Sequence, residues 1–179
     1  AQEPPRKIVV KFGRDHSFYG LPLAWLGRLN GGHEQAIYRA IAGIAGIPQF
    51  LGRVAGDGYA IEYIDGRQLD QGAPPPGVFD GLRKIFDALH ARGIAYVDGN
   101  KRSNILITAD GRPHLIDFQI SIRRRDDWPW PLRAISRAIF RYFARKDIYH
   151  LYKHKRRMTP AELTPEEEEL SRNRDFFHW

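Results

Sequence analysis

LHARGIAYVDGNKRSNILITADGRPHLIDFQ, residues 89–119, is the stretch that decides how this chain is read. It puts Asp98 six positions before Asn104 and a second acid, Asp117, directly before Phe118. The apolar runs NILIT (104–108) and PHLID (113–117) flank an Ala-Asp-Gly-Arg turn, a pattern that predicts a β-hairpin. An acid, an amide and another acid around a hairpin suit a site that holds Mg²⁺ on a nucleotide and orients a hydroxyl. Turn and cap chemistry is the plainer use of Asp and Asn. The surrounding elements decide between the two.

Upstream, IVVK (8–11) is a β-run ending in Lys11. HEQAIYRAIAGI (33–44) has Ile37, Ile41 and Ile44 at helical spacing, which predicts a helix with Glu34 in its first turn. GIPQFLGRV (46–54) and YAIEYIDGRQL (59–69) follow, the second read as a strand and turn. After the breaker Pro74–Pro76, Phe79, Leu82, Ile85, Phe86 and Leu89 mark the core face of a helix that leads to Asp98.

In this order the features resemble the protein-kinase superfamily, whose catalytic loop is H-R-D-x-x-x-x-N and whose magnesium loop is D-F-G. The resemblance covers residues 7–122, and the chain departs from the pattern at several positions. Tyr96 and Val97 stand where His and Arg are usual, one residue is inserted between Asp98 and Asn104, and Gln119 replaces the glycine. These departures suggest an atypical branch, similar to the bacterial lipopolysaccharide-core sugar kinases or the RIO-type kinases.

The resemblance implies ATP and Mg²⁺ as cofactors and a role for each site residue. Asn104 and Asp117 would hold the metal. Lys11, steadied by Glu34, would grip the nucleotide phosphates. The backbone of Glu62, Tyr63 and Ile64 would meet the purine edge. Asp98 would align the acceptor hydroxyl, and Lys101 would offset charge on the transferred group. Only ten residues precede Lys11, none of them glycine. Two strands and a Gly-rich phosphate loop need about 15 to 20 residues, so that loop is expected to be missing.

Composition bounds the remainder. The 179 residues suffice for one ordinary domain or two small lobes, and 42% of them are hydrophobic. The absence of cysteine excludes disulfides and thiolate chemistry. No apolar run reaches the ~18 residues of a membrane span, and no signal peptide is evident. The first residue is not Met, so the natural start is expected to have been removed. The net charge of +7 is uneven: residues 123–157 hold 12 Lys/Arg against 3 Asp/Glu.

Within that basic segment, WPWPLRAISRAIFRYFAR (128–145) puts Leu132, Ile135, Ile139 and Phe143 on one helical stripe. Arg133, Arg137, Arg141 and Arg145 lie on another. Amphipathic helices of small domains usually turn their apolar stripe inward, so packing on the larger lobe with solvated arginines is the first expectation. The alternatives are an anionic membrane surface met through the arginines, or a pocket wall for a phosphorylated lipid or sugar. Nucleic acid draws support from charge alone. His90 is expected to pack or cap. Glu166–Glu169, after Thr164 and Pro165, are expected to form a solvated helix start.

The expected fold is therefore α+β and kinase-like in two lobes. Residues 1–64 would form a reduced sheet lobe lacking the Gly-rich loop, and residues 65–179 a mostly helical lobe with the catalytic hairpin and basic tail. The expected function is phosphotransfer from ATP to a hydroxyl of a glycolipid sugar or a protein, in the cytoplasm or at the inner face of the membrane. The rival readings are a pseudokinase serving as a nucleotide-binding or regulatory module, and a basic membrane-surface adaptor.

Overall fold

The computed structural model describes residues 7–12, 24–54 and 58–172. Three β-branched residues before Lys11 favour extended chain, and Ile8–Lys11 forms β1. It pairs antiparallel with β3 (Tyr59–Glu62), which in turn pairs with β2 (Phe50–Arg53). The sheet order is β1-β3-β2, so central β3 has Tyr59, Ala60 and Ile61 buried. Helix α1 (Ala24–Ala40) precedes β2 in the chain. It begins well before the predicted helix, so Glu34 sits in its second half and not in a first turn. The helix ends at Ala40; Ile41 and Ile44 belong to the following turns, yet both are buried with Ile37.

The predicted hairpin is present as β6 (Ile105–Thr108) and β7 (Pro113–Leu115), with Ile105 opposite Leu115, and β4 (Gly66–Gln68) completes this second sheet. Helix α2 (Val78–Ala91) buries the whole predicted face, Phe79, Leu82, Ile85, Phe86 and Leu89, and adds Val78. It stops where Gly93 takes a left-handed φ of 70°. That conformation fits glycine and turns the chain into β5 (Ile94–Ala95), which pairs with β8 (Ile122–Arg123). Gly46 closes the two sheets onto each other. Its carbonyl accepts the Leu115 N–H at 2.9 Å, and a Cβ there would lie 2.4 Å from Ile85 Cδ1.

Helix α3 (Leu132–Met158) has 27 residues and runs well past the predicted stretch. Its orientation overturns the inward packing expected for the Leu132 stripe. Ser136, Phe140, Asp147, Leu151 and Tyr152 face inward, while Leu132, Ile135 and Ile139 are exposed. The physical reason lies in the partners of the inward row. The Phe140 ring meets His90 and the Arg124 guanidinium, the Ser136 hydroxyl accepts the Arg125 N–H, and the Asp147 carboxylate is fully buried. Helix α4 (Pro165–Arg172) begins with a reciprocal capping box between Thr164 and Glu167. Glu167 is not solvated as expected, because it pairs at 2.8 Å with the buried Lys155 of α3.

One core serves both sheets. Phe118 stands at its centre, edge-on to Tyr38 at 5.2 Å and to Tyr96 at 5.1 Å. Tyr38 comes from α1, Tyr96 from the loop before Asp98, and Phe118 from the turn after β7. Packing of these three rings thus fixes the elements that carry the candidate site.

Candidate active site

The Lys11 ammonium at the end of β1 lies 2.7 Å from Glu34 Oε1 on α1. That same oxygen accepts the Phe118 N–H at 3.3 Å, and Asp117 Oδ1 lies 3.6 Å from Lys11 Nζ. Three residues far apart in sequence therefore meet at one point. Glu34 is buried, which makes its pairing with Lys11 consequential, since an unpaired buried carboxylate is costly.

A second cluster forms around Asp98. Asn104 Nδ2 donates to Asp98 Oδ2 at 2.8 Å, and Lys101 Nζ reaches the same oxygen at 2.8 Å. This bond raises the pKa of the exposed Lys101 ammonium. Lys101 is thus held on Asp98 rather than pointing freely outward. The Asn104 bond uses its amide nitrogen and leaves its oxygen as an acceptor. The two clusters adjoin: the Tyr96 hydroxyl donates to the Ile116 carbonyl next to Asp117. Burial, then Asp98 and Asp117, raise the pKa of the Tyr96 phenol.

The backbone is strained at two points of the site. Val97 has φ 74° and Asp117 has φ 63°; among described residues they are the non-glycine positions with positive φ. A β-branched residue there is an outlier, and such strain costs about 1–3 kcal/mol unless the surroundings impose it. For Val97 the imposing group is Asp147. Its carboxylate accepts the Tyr96 N–H and the Val97 N–H, each at 2.8 Å, and also meets His90 Nε2 at 3.0 Å. Burial raises its pKa, while His90 and the two amides oppose the rise. Two more contacts from α3 hold the next residues. His154 Nε2 donates to the Gly99 carbonyl at 3.0 Å, and Lys153 Nζ donates to Asn100 Oδ1 at 3.1 Å. The one-residue insertion after Asp98 is thus clamped.

Asp147 was not singled out from sequence. The available signal was its isolation, since it is the one acid within Leu132–Met158. His90 does pack as expected, on Phe86 and Phe140, and also supports this clamp.

At the expected purine edge two of the three backbone donors are already engaged. The Glu62 N–H is bonded to the Gln49 carbonyl at 2.9 Å, and the Tyr63 N–H to the Lys7 carbonyl at 3.4 Å. Sheet formation has taken these donors, whereas the Ile64 N–H has no such bond among the described residues. The expected lack of a Gly-rich loop before β1 concerns residues 1–6, which lie outside the described residues.

Asp117 Oδ1 supplies the test for a cation. It is shut off from solvent and has no hydrogen-bond donor. A buried, charged, unsatisfied oxygen fits a hard cation. Among the described residues no three His, Cys, Asp or Glu cluster together. Asp117 and the Asn104 oxygen would therefore need phosphate oxygens or water to complete a shell, the usual habit of Mg²⁺.

No protein-family model matches the chain, and no curated protein matches it. Among solved structures it is similar to the RIO2 kinase of Chaetomium thermophilum, solved as an ADP/Mg²⁺-phosphoaspartate complex. The match has 17% identity and a TM-score of 0.57, and it covers 89% of this chain. The chain spans about half the length of that kinase, 49% of it. With its small antiparallel sheets and helical part, this similarity gives the chain a protein-kinase-like fold.

Proposed function

We propose that the chain is an ATP- and Mg²⁺-dependent phosphotransferase acting on a hydroxyl, with a glycolipid sugar or a protein side chain as acceptor. The observation that carries this reading is the buried, donorless Asp117 oxygen beside the Lys11–Glu34 pair. Its ion-pair partner Lys11, 3.6 Å away, is already bonded to Glu34, and backbone strain of this kind clusters at functional sites. Mg²⁺ bound there would neutralise charge on the nucleotide phosphates. Lys11 would hold those phosphates while Glu34 keeps it aimed. Asp98 would accept the hydrogen bond of the acceptor hydroxyl and align it. Lys101 would leave Asp98 for the transferred group as the acceptor enters. Ile64 would offer its N–H to the purine. Residues 7–64 and 65–172 would serve as the two lobes.

A second reading, a nucleotide-binding pseudokinase, is favoured by the closed state of Asp98, which both Lys101 and Asn104 occupy. A membrane-surface adaptor is the third.

Thermal unfolding with and without ATP and Mg²⁺ tests the nucleotide site. At 100 times the dissociation constant the ligand should stabilise by about 2.7 kcal/mol. Asp117→Asn, which tolerates the left-handed backbone, should abolish the Mg²⁺-dependent part. No shift in the unsubstituted protein refutes nucleotide binding. A shift without labelled phosphate reaching any glycolipid or protein acceptor, unchanged by Asp98→Asn, leaves the pseudokinase.

A further inference from the structure

Among the described residues, the first half of α3 leaves an apolar ridge exposed. Leu132 is 49% exposed, Ile135 54%, Ile139 43% and Tyr142 41%. Their spacing of three, four and three residues aligns them over about 15 Å of helix. Trp128, 41% exposed, and Trp130, 76% exposed, extend the ridge ahead of the helix. Scattered exposed apolar residues are ordinary, but six large ones in a row at one helix end mark a contact surface.

Charge identifies the partner. Arg133, Arg137, Arg141, Arg145 and Lys146 share this half of the helix, and no acid lies between Trp128 and Lys146. The acids that flank this stretch are already taken: Asp126 by Arg124 and Arg137, Asp127 by Arg125, and Asp147 by His90 and two backbone amides. Cations also flank the ridge aromatics, with the Arg125 guanidinium 5.3 Å from the Trp128 ring and Lys146 Nζ 5.6 Å from that of Tyr142. Tryptophan and tyrosine with cations beside an aliphatic row suit the boundary between lipid headgroups and acyl chains. A second copy of the chain is disfavoured, because pairing two ridges would oppose two arginine rows with no free acid between them. No helix of the described residues is long and apolar enough to cross a membrane, so α3 would lie along the surface.

We infer that the first half of α3, together with Trp128 and Trp130, docks onto an anionic lipid bilayer surface. The apolar ridge enters the interface and the arginines meet the headgroups. This inference stands apart from the nucleotide site and does not require catalysis.

Cosedimentation with phosphatidylcholine vesicles, with and without phosphatidylglycerol, tests it. Binding should need phosphatidylglycerol, weaken with salt, and fall by roughly ten-fold or more in Ile135→Glu/Ile139→Glu. Both positions are exposed, so the variant should keep its melting temperature. Arg133→Gln/Arg141→Gln should weaken binding and leave a residual that salt affects less. No binding to phosphatidylglycerol vesicles overturns the inference. Binding indifferent to the isoleucine change also overturns it, because charge alone would then be at work. So does a dimer in lipid-free buffer that the isoleucine change dissolves. Binding to polyglutamate but not to vesicles would make the ridge an acidic-peptide site instead.

Discussion

Replacing Asp147 should loosen the strained bend before Asp98. Its carboxylate holds two backbone N–H groups at 2.8 Å and His90 at 3.0 Å, in full burial. Hydrogen bonds to a charged acceptor contribute about 1.5–3 kcal/mol each, and an orphaned buried donor costs about 1–3 kcal/mol. Asp147→Ala orphans both amides, while the relief of burying a charge offsets part of the loss. The net destabilisation should be about 3–5 kcal/mol. Asp147→Asn keeps one acceptor oxygen but turns an NH₂ toward the second amide, so about 2–3 kcal/mol is expected. Urea unfolding reads the difference, which at about 2–4 °C per kcal/mol for a chain of this size also appears in Tm. Val97→Gly removes the strained Cβ, and that relief should be largest while Asp147 holds the bend and should shrink in the Asp147→Ala protein, where the bend can relax. A coupling of about 1 kcal/mol or more between the two sites is expected from the strain at stake. A loss below about 1 kcal/mol for Asp147→Ala, or strictly additive substitutions, would refute the clamp.

Phe118→Ala should cost about 3–5 kcal/mol in urea unfolding, as for other buried aromatics, since Phe118 is fully buried between Tyr38 and Tyr96. Gly46→Ala should destabilise by more than about 2 kcal/mol, because a Cβ would meet Ile85 and the Pro113 carbonyl at a left-handed φ of 84°. Calorimetry would show this as a lowered Tm. Burial holds His154 down to about 4, helped by Arg102, Lys153 and Arg157 and opposed by its bond to Gly99. A depressed histidine contributes stability that is complete above its unfolded value near 6.5 and is lost as pH falls toward about 4, about 1.4 kcal/mol per unit. Asp147, whose pKa is raised, acts with the opposite sign. Burial, then Lys153, holds His150 down to about 4 as well and adds to the same slope, so His154→Gln should remove about half of the histidine share between about 6.5 and 4, and an unchanged slope would count against the assignment.

Local pattern made much of this structure legible. The α2 face, the β6–β7 hairpin and the meeting of Lys11 with Glu34 follow from periodicity, turn chemistry and motif order. What escaped was set by partners distant in sequence. Which strand neighbours claim the Glu62 and Tyr63 amides is one such matter, and spacing along the chain does not reveal it. The helix beginning at Leu132 has two candidate inward faces of similar width. The one with Leu132, Ile135 and Ile139 is the more apolar, yet the one with Ser136, Phe140 and Asp147 won. It meets Arg125, His90 and the Tyr96 and Val97 amides, and those contacts appear only once α2 and the loop are folded. Asp147 escaped for the same reason.

The left-handed φ of 63° at Asp117 narrows what can follow it in descent. The backbone there accepts glycine, asparagine or aspartate readily, and other residues only with strain. Glycine and asparagine both fit the bend, and neither carries charge. Asparagine is also one base away from either aspartate codon. A lineage that no longer needed the proposed chemistry could thus lose the carboxylate in a single step and keep its core, its hairpin and its helix surface intact. Sequences sharing this fold should accordingly divide at this position into aspartate on one side and asparagine or glycine on the other. The residue found there would sort working sites from silent ones without a single assay.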